Sequence, residues 1–81
     1  MEIKILGTGC PKCRSLEKNV REAADELGLK ADITKVEDII EIMNYGIIST
    51  PGLIIDNKIV SSGHILSVNQ VKEIILKNQE V

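Results

Sequence analysis

The sequence predicts an α/β fold in the order β-α-β-α-β-β-α, a four-stranded mixed sheet with helices on both faces. Three patterns carry that prediction. Glu2-Ile3-Lys4-Ile5-Leu6 alternates as a half-buried strand does. Cys13, Leu16, Val20, Ala23, Ala24 and Leu27 recur at steps of three and four, one apolar stripe along a helix. Leu53-Ile54-Ile55 is an unbroken apolar run, and Asp56-Asn57 then turns a hairpin into Lys58-Ile59-Val60.

The remaining elements follow from local chemistry. Gly7-Thr8-Gly9 breaks the first strand, and Pro11 stands in the first turn of the helix, where its missing N–H costs nothing. Gly28 suits the left-handed position just past the helix end, with Leu29 folding back on the last turn. Residues 31–36 read as a second strand, and their polar content suits a sheet edge. Residues 38–45 form a short helix carrying Ile39, Ile40 and Met43, closed by Gly46. Thr34 with Glu37 also spells a capping box, so that helix has an alternative, earlier start. Ser67 with Gln70 is a second capping box and opens the last helix, whose inner face is Val71, Ile74 and Ile75. A right-handed crossover makes the first two strands parallel neighbours, and the hairpin adds two antiparallel strands.

A chain of 81 residues is expected to form one domain, 1–81, around one modest core. Hydrophobic residues make up 43%, nearly all aliphatic, and Tyr45 is the one aromatic side chain. Such a surface offers no stacking platform for bases. A net charge of −2 argues against general binding to nucleic acid or to anionic membranes. No apolar run reaches the roughly 18–20 residues of a membrane span, and MEIKIL lacks the layout of a signal peptide. A reducing cytoplasm is therefore the expected location.

Both cysteines sit in Cys10-Pro11-Lys12-Cys13. In a reducing compartment a pair at this spacing serves redox chemistry or metal binding rather than acting as a staple. A bridge over so few residues also constrains the unfolded chain little. The thiolate is the attacking species in disulfide exchange, and Cys10 precedes a helix whose free N–H groups and dipole favour an anion. Residues 10–21 hold Lys12, Arg14, Lys18 and Arg21 against Glu17, a net +3, while the rest of the chain carries −5. Cations in the first turns oppose the helix dipole. They read either as tuning of the thiolate or as a solvated face with a Glu17–Arg21 pair. Cys13, on the apolar stripe, is expected to be the more buried and less reactive thiol.

A strand, a CPxC at the mouth of a helix, Thr50-Pro51 before an apolar hairpin, and a terminal helix together resemble the thioredoxin/glutaredoxin superfamily. More narrowly, Gly7-Thr8-Gly9-Cys10-Pro11-Lys12-Cys13 with Thr50-Pro51-Gly52-Leu53 resembles the small thioredoxin-like proteins called redox-active disulfide protein 2. That resemblance implies a thioredoxin-like fold and a thiol–disulfide oxidoreductase without a cofactor or metal. It implies Cys10 as the attacking and Cys13 as the resolving thiol, with Pro51 as a cis-proline facing them. It further implies that Pro11, Lys12, Thr50 and Pro51 receive the substrate, the Thr50 backbone pairing with an incoming peptide. The implied partners are a disulfide-containing client protein and a flavoenzyme of the thioredoxin-reductase type.

The chain departs from that family at several points. No Trp precedes Cys10, and Lys4 stands six residues upstream, where many thioredoxins keep a proton-shuttling Asp. As a lysine near a strand start, Lys4 is expected to face solvent. Ser61-Ser62-Gly63-His64-Ile65 replaces the glutathione-binding element of glutaredoxins, so glutathione binding is not supported. His64 reads as a solvated loop residue, with proton donation to the thiols as the alternative, and Tyr45 reads as packing. The rival function is a Cu(I) or other soft-metal carrier, since two thiolates after a strand suit that ion. Against it, Thr8 stands where copper chaperones carry Met, and the element order differs from their β-α-β-β-α-β.

Overall fold

Residues 1–47 and 49–79 are described in the computed structural model of the chain. Glu2–Leu6 (β1) pairs in parallel with Asp32–Val36 (β2) on one side. On its other side it pairs antiparallel with Gly52–Ile55 (β3), which continues through a hairpin to Lys58–Ser62 (β4). The order across the sheet is β2-β1-β3-β4, which puts the polar β2 at an edge as its composition predicts. Asp56 and Asn57 both have positive φ, 47° and 68°, the geometry that matches a two-residue turn to the twist of its strands. The Asp56 side chain also accepts from the Glu2 N–H at 2.9 Å, fastening the turn to β1.

Pro11–Glu26 (α1) ends as its sequence predicts. Gly28 has φ of 67°, and the N–H groups of Gly28 and Leu29 donate to the carbonyls of Asp25 and Ala24 at 3.0 Å. These paired bonds satisfy the otherwise unpartnered last turn. Ile39–Asn44 (α2) starts at Asp38, whose carboxylate accepts from the Ile40 N–H at 2.8 Å. Thr34 lies within β2, so the alternative early start is not used. Val68–Gln79 (α3) begins with the predicted box, Ser67 and Gln70 bonding reciprocally at 2.9 and 3.2 Å.

Strand alternation divides the core in two. Ile3, Ile5, Leu53 and Ile55 face α1 and α3, where Leu16, Val20, Ala23, Val71 and Ile75 meet them. On the opposite face Leu6 and Ile54 pack with Val36, Ile42 and Ile47 beneath α2. A fully buried Leu or Ile contributes about 1.5–3 kcal/mol, so these two aliphatic layers supply most of the burial that holds the fold. None of the described helices is long and apolar enough to cross a membrane.

The structure adds the packing of α2 and corrects the extent of β4. Helix α2 buries Ile42, whereas Ile39 and Met43 are 55% and 67% exposed and Ile40 is exposed as well. Strand β4 runs on through Ser61 and Ser62, because the ladder shifts register between Leu53 and Ile54 and leaves Val60 as the extra residue.

Candidate functional site

The site is built at the end of β1, where alternation still governs which way each residue points. Ile3 and Ile5 face α1, so Gly7 faces it too. Its N–H donates to the Val36 carbonyl at 3.0 Å, holding the chain flat until Thr8. Gly9 then has φ of 82°, which glycine adopts without penalty, and the chain enters α1 through Cys10.

Cys10 is the N-cap of α1, with an extended backbone. Its sulfur accepts a hydrogen bond from the Cys13 N–H at 3.3 Å, so it satisfies one of the free donors of the first turn. Pro11 follows where no N–H is needed. Cys10 and Cys13 are joined in a disulfide, with their Cα atoms 5.1 Å apart. Cys10 is partly exposed, while Cys13 is 5% exposed and lies over β1. A side-chain carbon built on Gly7 would collide with the Cys13 sulfur, so only glycine admits the disulfide this close to the sheet.

The second wall of the site is the segment before β3. The Thr50–Pro51 peptide bond is cis, as the resemblance implies. Leu6 pairs with Gly52, so the next position along the two strands sets buried Pro51 beside Gly7, on the face occupied by Cys13. Three contacts from the end of β4 hold this segment. The Gly63 N–H donates to the Pro51 carbonyl at 2.8 Å, and the Ser62 hydroxyl donates to the Ser49 carbonyl at 3.0 Å. Gly63, with φ of 77°, also sits so close to Ser49 that a Cβ there would lie 2.8 Å from the serine Cβ. Gly7, Ser62 and Gly63 are site-building residues that composition and periodicity do not mark. Only their positions after β1 and at the end of β4 could have pointed to them.

Beside Cys13 opens a cleft of about 110 Å³, lined among others by Gly7, Gly9, Arg14, Glu17, Lys35 and Glu37. Glu17 accepts from Arg21 Nε at 3.0 Å and lies 3.6 Å from Lys35 Nζ, which is 3.8 Å from Glu37. These ion pairs are partly exposed and weak singly, but they link α1 to the edge strand β2. The Glu17–Arg21 pair is the one the sequence suggests. Lys12, Arg14 and Lys18 are exposed, and among the described residues none of them has a carboxylate within 4.0 Å.

Lys4 and His64 do not line the cleft. Lys4 alternates to the α2 face, where its ammonium donates to the Tyr45 hydroxyl at 3.0 Å and lies 3.6 Å from the Glu2 carboxylate. The Tyr45 hydroxyl, and after it Glu2, hold the ammonium charged to a higher pH than an ordinary lysine. The expected solvent-facing Lys4 is thus a half-buried one, stacked 5.4 Å from the Tyr45 ring centre. Tyr45 packs against the Leu6 cluster, consistent with a packing role. His64 is exposed between β4 and α3 and does not line the cleft.

Comparison with known proteins agrees with this architecture. The family model of the thioredoxin domain matches residues 1–76. A thioredoxin of Methanothermobacter thermautotrophicus is 40% identical over 75 residues, covering 93% of this chain and 97% of its own length. A thioredoxin of Methanocaldococcus jannaschii is 48% identical over 71 residues, covering 88% of this chain and 81% of its own. A solved structure described as that of a malarial protein superposes with a TM-score of 0.69 at 16% identity, over 94% of this chain and 93% of that one. That likeness bears on the fold alone, and the fold is thioredoxin-like.

Proposed function

This chain belongs to the thioredoxin-domain family and is a thiol–disulfide oxidoreductase, and we propose that it reduces protein disulfides with Cys10 attacking and Cys13 resolving. The observation that carries this division of labour is the position of the Cys10 sulfur. It is partly exposed and accepts the Cys13 N–H at the positive end of α1, an arrangement that favours a thiolate once the disulfide is reduced. Cys13 is buried, so an external disulfide meets Cys10 first.

In the forward reaction the Cys10 thiolate attacks one sulfur of the client disulfide. A mixed disulfide forms and the other client sulfur leaves as a thiolate. The Cys13 thiolate then attacks the Cys10 sulfur, closing the Cys10–Cys13 disulfide and releasing the second client thiol. Two electrons pass from the protein dithiol to the client. A flavoenzyme of the thioredoxin-reductase type returns them in the next cycle, and the cytoplasm supplies the reducing setting.

In this reading Pro11 and Lys12 receive the client on the helix side and Thr50 and Pro51 receive it on the sheet side. Thr50 precedes a strand and offers its backbone to a client segment in the manner of strand addition. Residues 1–81 act as one domain in this reading. Limited alkylation tests the assignment. Reduced protein treated with substoichiometric iodoacetamide should carry the label on Cys10, and a label mainly on Cys13 would refute it.

A further inference from the structure

We propose that the site selects disulfides flanked by acidic residues, which it reads through the unpaired charges of Lys12 and Arg14. The selection rests on the reading of Cys10 as the attacking sulfur. Five cations, Lys12, Arg14, Lys18, Arg21 and Lys35, gather around the first half of α1 and the adjoining end of β2. Two carboxylates, Glu17 and Glu37, answer them, and these are the ones already engaged by Arg21 and Lys35. Glu37 stands near the Cys10 loop, 3.9 Å from a Cβ built on Gly9, and Lys35 lies 3.8 Å from it. Asp38 accepts the Ile40 N–H and keeps its charge, so three carboxylates stand against the five cations. The charge left over beside the disulfide is therefore positive, although the whole chain carries −2.

The placement is not what an evenly solvated surface would show. Lys4 and Lys72, away from the site, are ion-paired with Glu2 and Glu26. Lys30, Lys58 and Lys77 have no such partner among the described residues, but they stand singly, past the end of α1, at the β3–β4 turn and in the last turn of α3. Three unpaired cations share one helix beginning only at the redox pair. Cations there work against the helix dipole, and the Cys10 thiolate of the reduced protein offsets one of them. A partner segment with acidic residues beside its disulfide offsets what remains.

Distance ranks the three. Screening limits a surface charge to about 8 Å at physiological salt. Lys12 and Arg14 belong to the opening of α1, about 3 and 6 Å of helix rise from Cys10 at 1.5 Å per residue. Lys18 is roughly 12 Å further along the axis, at 1.5 Å per residue, and contributes least. One charge pair about 7 Å apart in water-like surroundings changes a rate about threefold.

Three synthetic peptides with the same disulfide, flanked by glutamate, glutamine or lysine, provide the test. Stopped-flow rates for the reduced protein should rank glutamate above glutamine above lysine. The glutamate-to-lysine ratio should be on the order of tenfold at low salt and shrink as salt is raised. Any change in the thiolate fraction of Cys10 scales all three rates equally and cancels in that ratio. The double variant Lys12→Gln/Arg14→Gln should bring the ratio close to one, while Lys58→Gln leaves it in place. Equal rates in the unmodified protein, or a preference for lysine, with a Cys10 adduct still trapped in Cys13→Ser, would overturn the selectivity alone. No adduct on Cys10 with any peptide would overturn the selectivity together with the attacking-thiol assignment.

Discussion

Gly7 and Cys13 approach so closely that one carbon added to Gly7 would overlap the Cys13 sulfur. The end of β1 is thus the surface against which the buried half of the redox pair is pressed. Gly7→Ala should destabilise the oxidised protein by about 1–3 kcal/mol, the usual cost of overpacking a filled site. Urea unfolding would show it. The same substitution should slow closure of the Cys10–Cys13 bridge, measured as a longer-lived mixed disulfide. Unchanged stability would mean that the sulfur has room to move.

The cap formed by Cys10 has a separate signature in the reduced protein. A serine oxygen can take over acceptance of the Cys13 N–H, whereas alanine leaves that donor without a side-chain partner. Under reducing conditions Cys10→Ser should keep most of the stability, and Cys10→Ala should lose about 1 kcal/mol. Equal stability of the two variants would show that the sulfur does not cap α1.

Gly63 acts on the other wall. Alanine there must hold a positive φ of 77° and press on Ser49, costing about 1–2 kcal/mol from the backbone conformation alone. The contact lies behind Thr50 and Pro51, not at the sulfur. Gly63→Ala should therefore slow reduction of a protein client while leaving the rate of Cys10 alkylation by iodoacetamide unchanged. A parallel loss of both rates would place the effect on the thiol instead.

Lys4 contributes to stability with a definite pH dependence. Its folded-state pKa is raised above the ordinary 10.5, first by the Tyr45 hydroxyl and then by Glu2. Its contribution is therefore fully present below that value and is lost as pH rises through the raised one. Denaturation of Lys4→Gln against the unmodified protein should give a constant difference from pH 6 to 9, narrowing only in strongly alkaline solution. A difference that narrows on acidification would point to Glu2 as the group in control.

Strong periodicity and specific end signals made most of the fold readable before any coordinates. Helix α1 has a long apolar stripe, a proline at its start and Gly28 past its end, and the two end signals agree with the extent of the stripe. The short α2 offered no such agreement. Four apolar residues, Ile39, Ile40, Ile42 and Met43, crowd six helical positions, and only packing against Leu6 and Ile54 decides that Ile42 goes inside. Strand β4 continues to Ser62, past the run the sequence predicts, because its bulge at Val60 interrupts the alternation that marks a strand. Cys10 and Cys13 stand out by spacing and Gly7 and Gly9 by breaking the strand, but the close contacts of Gly7 and Gly63 do not show in sequence. Their importance lies in the neighbour that a side chain would strike, and that neighbour is distant in sequence.

Trapping of mixed disulfides by the two single-cysteine variants decides how the pair divides its chemistry. Reduced Cys13→Ser and Cys10→Ser proteins would each be incubated with an oxidised model protein and analysed by mass spectrometry. Attack through the exposed, helix-capping sulfur predicts abundant adduct on Cys10 in Cys13→Ser and little adduct in Cys10→Ser, where the remaining thiol lies buried against Gly7. Equal trapping by both variants, or trapping through Cys13 alone, would contradict it.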